Sequence, residues 1–265
     1  MNLASKIGCA AAATVVAGVA ALPYMSSREV ARTLQDMAAK PVKGGNVVLS
    51  HLAHKAGWLS SEGTVDVTLR SRCAEDEEAQ QGLQLRVQYQ VQHWPTPAGL
   101  SAFTWTVTPQ GEAAEAFKAV FGQASPLSGD GHVTWARGIQ SAMQLPAVAL
   151  SRGGEVLEVS PSHGRLTVAG RRVALEWETE QAQMRARDMA FKLQAMSISL
   201  DLDNWQRGTG DVALHIKQAS TRELALEGLS VETSTREHNG KLDSMIRNHL
   251  ARATWGQQEL KDMAL

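Results

Sequence analysis

The chain has 265 residues, of which 43% are hydrophobic and 20% charged, and its 26 basic and 27 acidic residues give a net charge of -1. This length allows one large or two modest domains with a sizeable core. The balanced charge gives no electrostatic reason to expect a nucleic-acid partner, because such proteins usually carry a basic patch. Cys9 and Cys73 are the two cysteines, and Cys9 lies inside an apolar N-terminal run, so we expect no disulfide between them.

The N-terminal segment is typical of an export signal or a membrane anchor. Lys6 precedes an unbroken apolar run, Ile7–Leu22, which Pro23 closes. The run is long for the core of a signal peptide and slightly short of the about 20 residues that a spanning helix needs. We therefore predict an uncleaved anchor that binds the bacterial inner membrane through Ile7 to Leu22 and leaves the bulk of the chain in the periplasm. A cleaved signal, releasing a soluble periplasmic protein, is the alternative.

A short linker helix is predicted after the anchor. Val30, Leu34 and Met37 recur at helical spacing, and the run Lys40–Gly45 contains the proline and glycines that end a helix. The expected organisation is a signal anchor or signal peptide at 1–25, a linker helix at 26–43 and a β-rich periplasmic domain at 44–265. This last domain is expected to be truncated at its C-terminus.

Most of the remaining chain alternates apolar and polar residues with a period of two, which is typical of strands with one buried face. Between them, the acidic loop Cys73–Gln81 lacks the ligand spacing of a calcium site and is interpreted as solvated. The strands are short and regularly spaced, which favours an antiparallel meander. The clearest predictions are Thr64–Arg72, Gly82–His93, Phe103–Thr108, Gly131–Arg137, Leu145–Leu150, Glu155–Val159, Arg165–Ala169 and Arg172–Glu178.

Four local signals add detail to this meander. The alternation changes phase near Ala195 and again at Gly228, which predicts a bulge or a bend with one extra residue at each place. Asn239-Gly240 predicts a tight type I′ hairpin. Gly111–Phe121 is dense in strong helix formers and predicts one internal helix.

The C-terminal stretch is ambiguous. Leu242–Leu250 fits a helix by spacing, whereas the preceding hairpin signal requires a strand there. Glu259–Leu265 alternates like a final strand.

The search for catalytic and metal-binding residues finds no recognisable site. Among the eight histidines, His51 and His54 are three residues apart, and on a strand they would lie on opposite faces. Ser60-Ser61 has no evident histidine and acid partners that would make either serine a nucleophile. No phosphate loop, dinucleotide fingerprint, nucleophile elbow or zinc motif occurs. We therefore expect no enzyme activity, no metal and no cofactor.

The seven tryptophans are spread singly along the strands. Such residues usually pack a core or lie at strand ends. An apolar groove between curved sheets is the one binding site that the pattern suggests. The candidate groove-lining or packing residues are Trp58, Trp94, Trp105 and Trp135.

Several stretches together resemble one protein family. Besides the N-terminal anchor, they are Ala56-Gly57-Trp58-Leu59-Ser60-Ser61, His93-Trp94-Pro95, Phe117-Lys118-Ala119-Val120-Phe121-Gly122 with Ser125-Pro126-Leu127, and Leu145-Pro146-Ala147. They resemble the DUF945 (YdgA-like) family of Gram-negative bacterial envelope proteins, and this chain matches only the N-terminal half expected of a member. The resemblance implies an inner-membrane anchor and an envelope protein of unknown biochemical function. It supplies no catalytic residues, and Trp94 stands where members usually have glycine.

The expected fold is α+β but β-dominated: an extended curved antiparallel sheet with an N-terminal membrane helix, a short linker helix and one internal helix. The expected function is that of a noncatalytic, membrane-tethered envelope protein, either a scaffold that binds another envelope protein or a binder of apolar, lipid-like molecules. One alternative is an envelope hydrolase with a dispersed active site. Another is a homo-oligomeric module that pairs through the open edge of its final strand.

Overall fold

The computed structural model describes residues 47–57, 59–69, 83–111, 114–115, 118, 127–152, 155–186, 189–205 and 207–264. The predicted anchor, the linker helix, the acidic loop and most of the predicted helix Gly111–Phe121 lie outside these residues and stay predictions. Across the part of the chain that is described, no helix is both long and apolar enough to cross a membrane.

The chain divides into a first unit, Met1–Met143, and a second unit, Gln144–Leu265. Antiparallel strands in sequence order form the described part of the first unit. They are β1 (Val47–Ala56), β2 (Ser60–Leu69), β3 (Leu83–Gln92), β4 (Ser101–Pro109), β5 (Leu127–Val133) and β6 (Ile139–Leu145), which ends just past the boundary between the units.

In the second unit, β9 to β15 follow one another across an antiparallel sheet. β8 pairs with the C-terminal half of β10, beside the stretch that β9 pairs with, and β7 pairs with β8. The strands are β7 (Val148–Arg152), β8 (Glu155–Val159), β9 (Ser162–Ala169), β10 (Arg172–Arg185), β11 (Ala190–Asn204), β12 (Thr209–Ser220), β13 (Leu224–His238), β14 (Lys241–Trp255) and β15 (Gln258–Ala264).

The prediction of a β-dominated antiparallel meander is confirmed, and β8 has the predicted bounds. Two strand predictions need correction. The predicted strand Gly131–Arg137 ends at Val133, because Arg137 has a φ of 63° and the Thr134 amide bonds the Gly138 carbonyl in a tight turn. The predicted strand Leu145–Leu150 is divided between β6 and β7 by Pro146-Ala147, since proline cannot donate to a ladder.

The C-terminal ambiguity is resolved in favour of strands. Asn239 and Gly240 both have positive φ values, 53° and 76°, as the predicted type I′ turn requires. The turn sets β14 against β13 over the length of both strands, so cross-strand pairing overrides the helical spacing of Leu242–Leu250.

The predicted breaks at Ala195 and Gly228 occur, with φ values of 47° and 65°. The predicted extra residue is wrong, because the pairing of β11 with β12 and of β12 with β13 keeps one register on both sides of each break. At each break, one residue is left unpaired on both of the neighbouring strands. Neither strand therefore has an extra residue relative to its partner.

The buried core of the first unit follows the predicted alternation. Val65, Val87, Val91 and Trp105 are at most 2% exposed. Aromatic side chains of this core pack over glycines of neighbouring strands, because a Cβ at these positions would overlap with the rings. A Cβ on Gly129 would come within 2.6 Å of the Trp105 ring.

Candidate functional site

The second unit presents one apolar sheet face, defined by cross-strand pairs. Directly paired residues of antiparallel strands lie on the same face, so each row of pairs can be followed across the sheet. One row toward the Asn239-Gly240 end consists of Leu166, Leu175, Leu200, Val212, Thr233 and Ile246, and the next of Gly164, Trp177, Ile198, Leu214, Val231 and Asn248. Leu166 and Leu175 are buried, whereas Val212 is 37% and Ile246 60% exposed, so the face becomes more accessible toward β14.

A line of skipped pairs crosses this sheet, and we call it the break row. It consists of Glu180, Ala195, Lys217, Gly228, Ala251 and Asp262, one residue from each strand from β10 to β15. On alternate strands this residue has a positive φ: 47° at Ala195, 65° at Gly228 and 50° at Asp262. The breaks are therefore aligned across the sheet.

The break row shifts the side-chain alternation. In an unbroken strand, residues three apart lie on opposite faces. On β12, however, Lys217 and Gln218 are both exposed, whereas Ile216 is half-buried and Ala219 only 9% exposed. A left-handed residue interrupts the regular pleat of the adjoining strands, so the apolar residues before and after the break row share one face.

Two rows flank the break row on this apolar face. The large-residue row consists of Thr179, Met196, Ile216, Leu229, Leu250 and Met263. The alternating row consists of Ala182, Leu193, Ala219, Leu226, Ala253 and Leu260, so that alanine and leucine take turns from strand to strand. None of these side chains is charged.

On each strand the two flanking rows are three residues apart, as Ile216 and Ala219 are, whereas successive same-face residues of an unbroken strand are two apart.

The same arrangement recurs in three successive hairpins. β10–β11 contributes Ala182 and Leu193, β12–β13 contributes Ala219 and Leu226, and β14–β15 contributes Ala253 and Leu260. The sequence signal is a leucine followed three residues later by methionine or leucine. It occurs at Leu193–Met196, Leu226–Leu229 and Leu260–Met263. Two phase shifts were recognisable from the sequence, but their alignment was not.

Charged side chains of the second unit pair on the opposite, polar face. Arg172 binds Asp201 and Arg236 binds Asp211, each with a closest nitrogen–oxygen distance of 2.7 Å. Hydrogen bonds from these arginines hold the pKa values of Asp201 and Asp211 below the usual range. The central rows of the sheet thus separate apolar from charged groups, whereas Glu237, which binds Arg207, continues the apolar-face alternation of Val231 and Thr233 near the end of β13.

In the first unit, five polar side chains replace apolar ones near one end of the inner face. They are His54, Ser61, Tyr89, His93 and Ser101. The Tyr89 hydroxyl lies 2.9 Å from His54 Nδ1, while His54 Nε2, His93 Nε2 and the Ser61 and Ser101 hydroxyls are buried without a hydrogen-bond partner among the described residues. Burial, and then the neighbouring His93, lowers the pKa of His54, and burial raises the pKa of Tyr89 to about 12.

The chemical capacity of this polar group is limited. Ser61 is 2% and Ser101 4% exposed, so neither hydroxyl is open to a substrate. The group contains no carboxylate to orient a histidine as a general base. Among the described residues, no three histidine, cysteine, aspartate or glutamate side chains are grouped to hold a metal. The sequence did not predict this group, although Ser61 and His93 occupy positions that would otherwise carry apolar residues in the alternation of β2 and β3.

A shallow depression of about 580 Å³ lies over β1 to β4 of the first unit. Most of its lining residues share the polar face, including Thr64, Gln88, Gln90 and Thr104, and the Lys55–Glu62 ion pair at 3.2 Å borders it. Amide, hydroxyl and charged side chains share its lining with apolar surface, so it differs from the apolar groove that the sequence suggested.

The structure disperses the candidate tryptophans. Trp105 is 1% exposed and donates from Nε1 to the Ser141 hydroxyl at 3.0 Å, which makes it a packing residue. Trp94 and Trp135 are 48% and 58% exposed, just beyond the ends of β3 and β5. Trp58 lies outside the described residues.

These features define an antiparallel β-sheet protein with one uncharged, partly exposed apolar sheet face. The chain belongs to the family described as "Bacterial protein of unknown function (DUF945)", whose family model matches residues 5–265. The resemblance that the short motifs indicated is thereby confirmed, and the match extends over essentially the whole chain, not only its N-terminal half. No curated protein and no solved structure matches it.

Proposed function

We propose that the protein is a noncatalytic, membrane-tethered envelope protein that binds lipid hydrocarbon on the apolar face of its second unit. The observation that carries this proposal is the uncharged face, which holds large apolar side chains exposed to solvent. Ile246 is 60%, Trp255 64% and Leu260 59% exposed. Exposed apolar patches of this kind mark binding surfaces.

The chemistry of the face favours hydrocarbon over a polar ligand. The polar members of its central rows, such as Thr179, Thr233 and Asn248, are uncharged, and the Arg172–Asp201 and Arg236–Asp211 ion pairs lie on the other face. Each methylene group of a ligand that is removed from water contributes about 0.8 kcal/mol. An acyl chain therefore gains affinity along its whole length without needing a hydrogen-bonding partner.

The proposed location is the periplasmic side of the bacterial inner membrane. The apolar run Ile7–Leu22, with Lys6 before it, supports an N-terminal anchor in that membrane. A tethered apolar sheet face would stay close to the bilayer, where lipid is abundant. Cleavage of the segment would instead give a soluble periplasmic protein with the same binding face.

The proposal is tested on full-length protein purified from membranes. Native mass spectrometry and lipid extraction should recover bound lipid, and a fluorescent phospholipid should bind in titration. Absence of both would overturn the lipid function.

Matched variants test which face binds. Leu260→Glu places a charge on the apolar face, whereas Met245→Glu places one on the opposite face at a residue of similar exposure, 59% against 57%. We expect the first change to weaken lipid binding about tenfold and the second to leave it unchanged. Equal effects would contradict the assignment of the face.

A second candidate function is self-association through the edge of β15. Within the described residues, β15 pairs with β14 on one side, and open edges recruit further strands. Crosslinking the full chain against a variant lacking Gln257–Leu265 tests this function. Loss of a crosslinked dimer in the shortened chain would favour it.

A further inference from the structure

We propose that two copies of this chain pair through β15, antiparallel to each other about a two-fold axis that passes beside Leu260. This inference rests on the second candidate function, self-association through the edge of β15, and it assigns the partner strand and the register. Across the strands that the structure describes, β15 comes last in the order and pairs with β14 alone. A second copy of β15 is the partner that the charges of this edge fit.

The backbone groups available at the edge follow from the hairpin of β14 and β15. Trp255 and Gln258 pair across the two-residue turn Gly256-Gln257. In such a hairpin the residues that flank the turn form a hydrogen-bonded pair, and pairs with and without hydrogen bonds then alternate along the strands. By this alternation Glu259 and Lys261 fall in pairs without hydrogen bonds, so their amide and carbonyl groups point away from β14.

The charges on these two residues select one register. Backbone hydrogen bonds between copies require outward-facing residues to lie opposite each other, which happens when the axis passes beside Glu259, Leu260 or Lys261. An axis at Glu259 places glutamate opposite glutamate, and an axis at Lys261 places lysine opposite lysine. An axis at Leu260 instead places Glu259 of each copy opposite Lys261 of the other. Opposite charges stabilise a cross-strand pair and like charges destabilise it, so the axis lies at Leu260.

The side chains at this edge are positioned to meet a second copy. Glu259, Leu260 and Lys261 are exposed, and the first and third are on the same face, 3.2 Å apart between Oε2 and Nζ. Pairing about Leu260 would therefore place two such ion pairs side by side with alternating signs. On the other face Leu260, which is 59% exposed, would contact its own counterpart. Asp262, with a φ of 50°, interrupts the regular edge beyond Lys261 and confines the pairing to a short stretch.

Disulfide crosslinking tests the register. In full-length protein with Cys9 and Cys73 changed to serine, Leu260→Cys should form an intermolecular disulfide under mild oxidation, because the two Cα atoms across the axis would be about 4.5 Å apart. Gln258→Cys is the matched control, since Gln258 is exposed on the same strand but two residues from the axis. Its two copies would be about 14 Å apart and should not crosslink.

Charge exchange between copies tests the contact independently. Glu259→Lys places lysines opposite each other and Lys261→Glu places glutamates opposite each other, so each variant alone should dimerise about tenfold more weakly than wild type in sedimentation velocity. In an equimolar mixture each lysine meets a glutamate of the other variant, and dimerisation should return to within about threefold of wild type. Mixing cannot restore the Arg252–Glu259 ion pair within a chain, so this recovery reports the contact between copies. Circular dichroism establishes that each variant is folded.

Failure of the register and failure of self-association give different results. If wild-type protein dimerises but Leu260→Cys does not crosslink, or the mixture of charge variants recovers nothing, the register is wrong and self-association stands. If wild-type protein sediments as a monomer up to its solubility limit and Leu260→Cys does not crosslink, self-association itself is wrong. Neither result bears on the proposed lipid function, which the lipid titration measures separately.

Discussion

Replacing Ala195 by glycine should stabilise the protein, although glycine normally destabilises a strand. Ala195 has a φ of 47°, and an L-residue in the left-handed region loses about 1–2 kcal/mol relative to its favoured conformation. Glycine carries no such penalty, but its greater freedom in the unfolded chain lowers stability by about 0.5–1 kcal/mol. The side chain of Ala195 is exposed, so removal of its methyl group leaves no cavity. The net expectation is a gain of about 0.5–1 kcal/mol in the free energy of unfolding.

Ala225→Gly provides the matched control, because Ala225 is also an exposed alanine within a strand and is not among the residues with positive φ. There the entropy cost is unopposed, and we expect a loss of about 0.5–1 kcal/mol. Thermal or urea unfolding of the two variants against wild type should therefore give shifts of opposite sign, with the melting temperature moving by about 1–4 °C in each direction. Destabilisation of similar size by both glycines would refute the left-handed conformation at Ala195 and, with it, the alignment of the break row.

Three further predictions concern the first unit. Gly129→Ala should destabilise it by about 3 kcal/mol or more, measured by urea unfolding, because the new Cβ would overlap with the Ala142 carbonyl oxygen and would be 2.6 Å from the buried Trp105 ring; a neutral effect would contradict this close packing around the glycine. Trp105→Phe should lower the free energy of unfolding by about 1–3 kcal/mol, because it removes the hydrogen bond to Ser141 and part of the buried volume. The control Trp135→Phe, at an exposed tryptophan, should change it by less than about 0.5 kcal/mol, and equal effects of the two variants would be inconsistent with the burial of Trp105. Because burial lowers the pKa of His54 below 6.5, protonation of His54 opposes folding. The free energy of unfolding of wild type relative to His54→Gln should be highest above pH 6.5 and fall as the pH falls through 6.5 toward the folded-state pKa; a difference independent of pH between about 5 and 8 would argue against this burial.

Most strands could be predicted from the sequence, because a sheet with one buried face requires apolar residues at every second position. This explains why Val65, Val87 and Val91, which follow that period within the predicted strands, lie in the core. The type I′ turn at Asn239-Gly240 was equally readable, since few residue pairs accept two successive positive φ values. The strand end at Val133 was missed because Arg137 adopts a left-handed conformation that is uncommon for arginine. The end of β6 at Leu145 was missed although Pro146 signals it.

Only part of the candidate site could be predicted from the sequence. The exposure of Trp94, the burial of Trp105 and the aligned breaks on β11, β13 and β15 depend on which strands become neighbours. Likewise, Ser61 and His93 resemble ordinary loop-flanking polar residues until the register places them on the inner face of the sheet.

The sequence by itself determined the family, the β-dominated meander and the places where the alternation changes phase. These properties follow from local patterns, since the spacing of apolar residues and the turn residues act within a few positions of the chain. Only the tertiary structure decided that the phase shifts form one row and that apolar residues from successive hairpins share one face. The physical reason is that register is a relation between strands, and a residue opposite Ala195 or Gly228 can be identified only once the strands are paired.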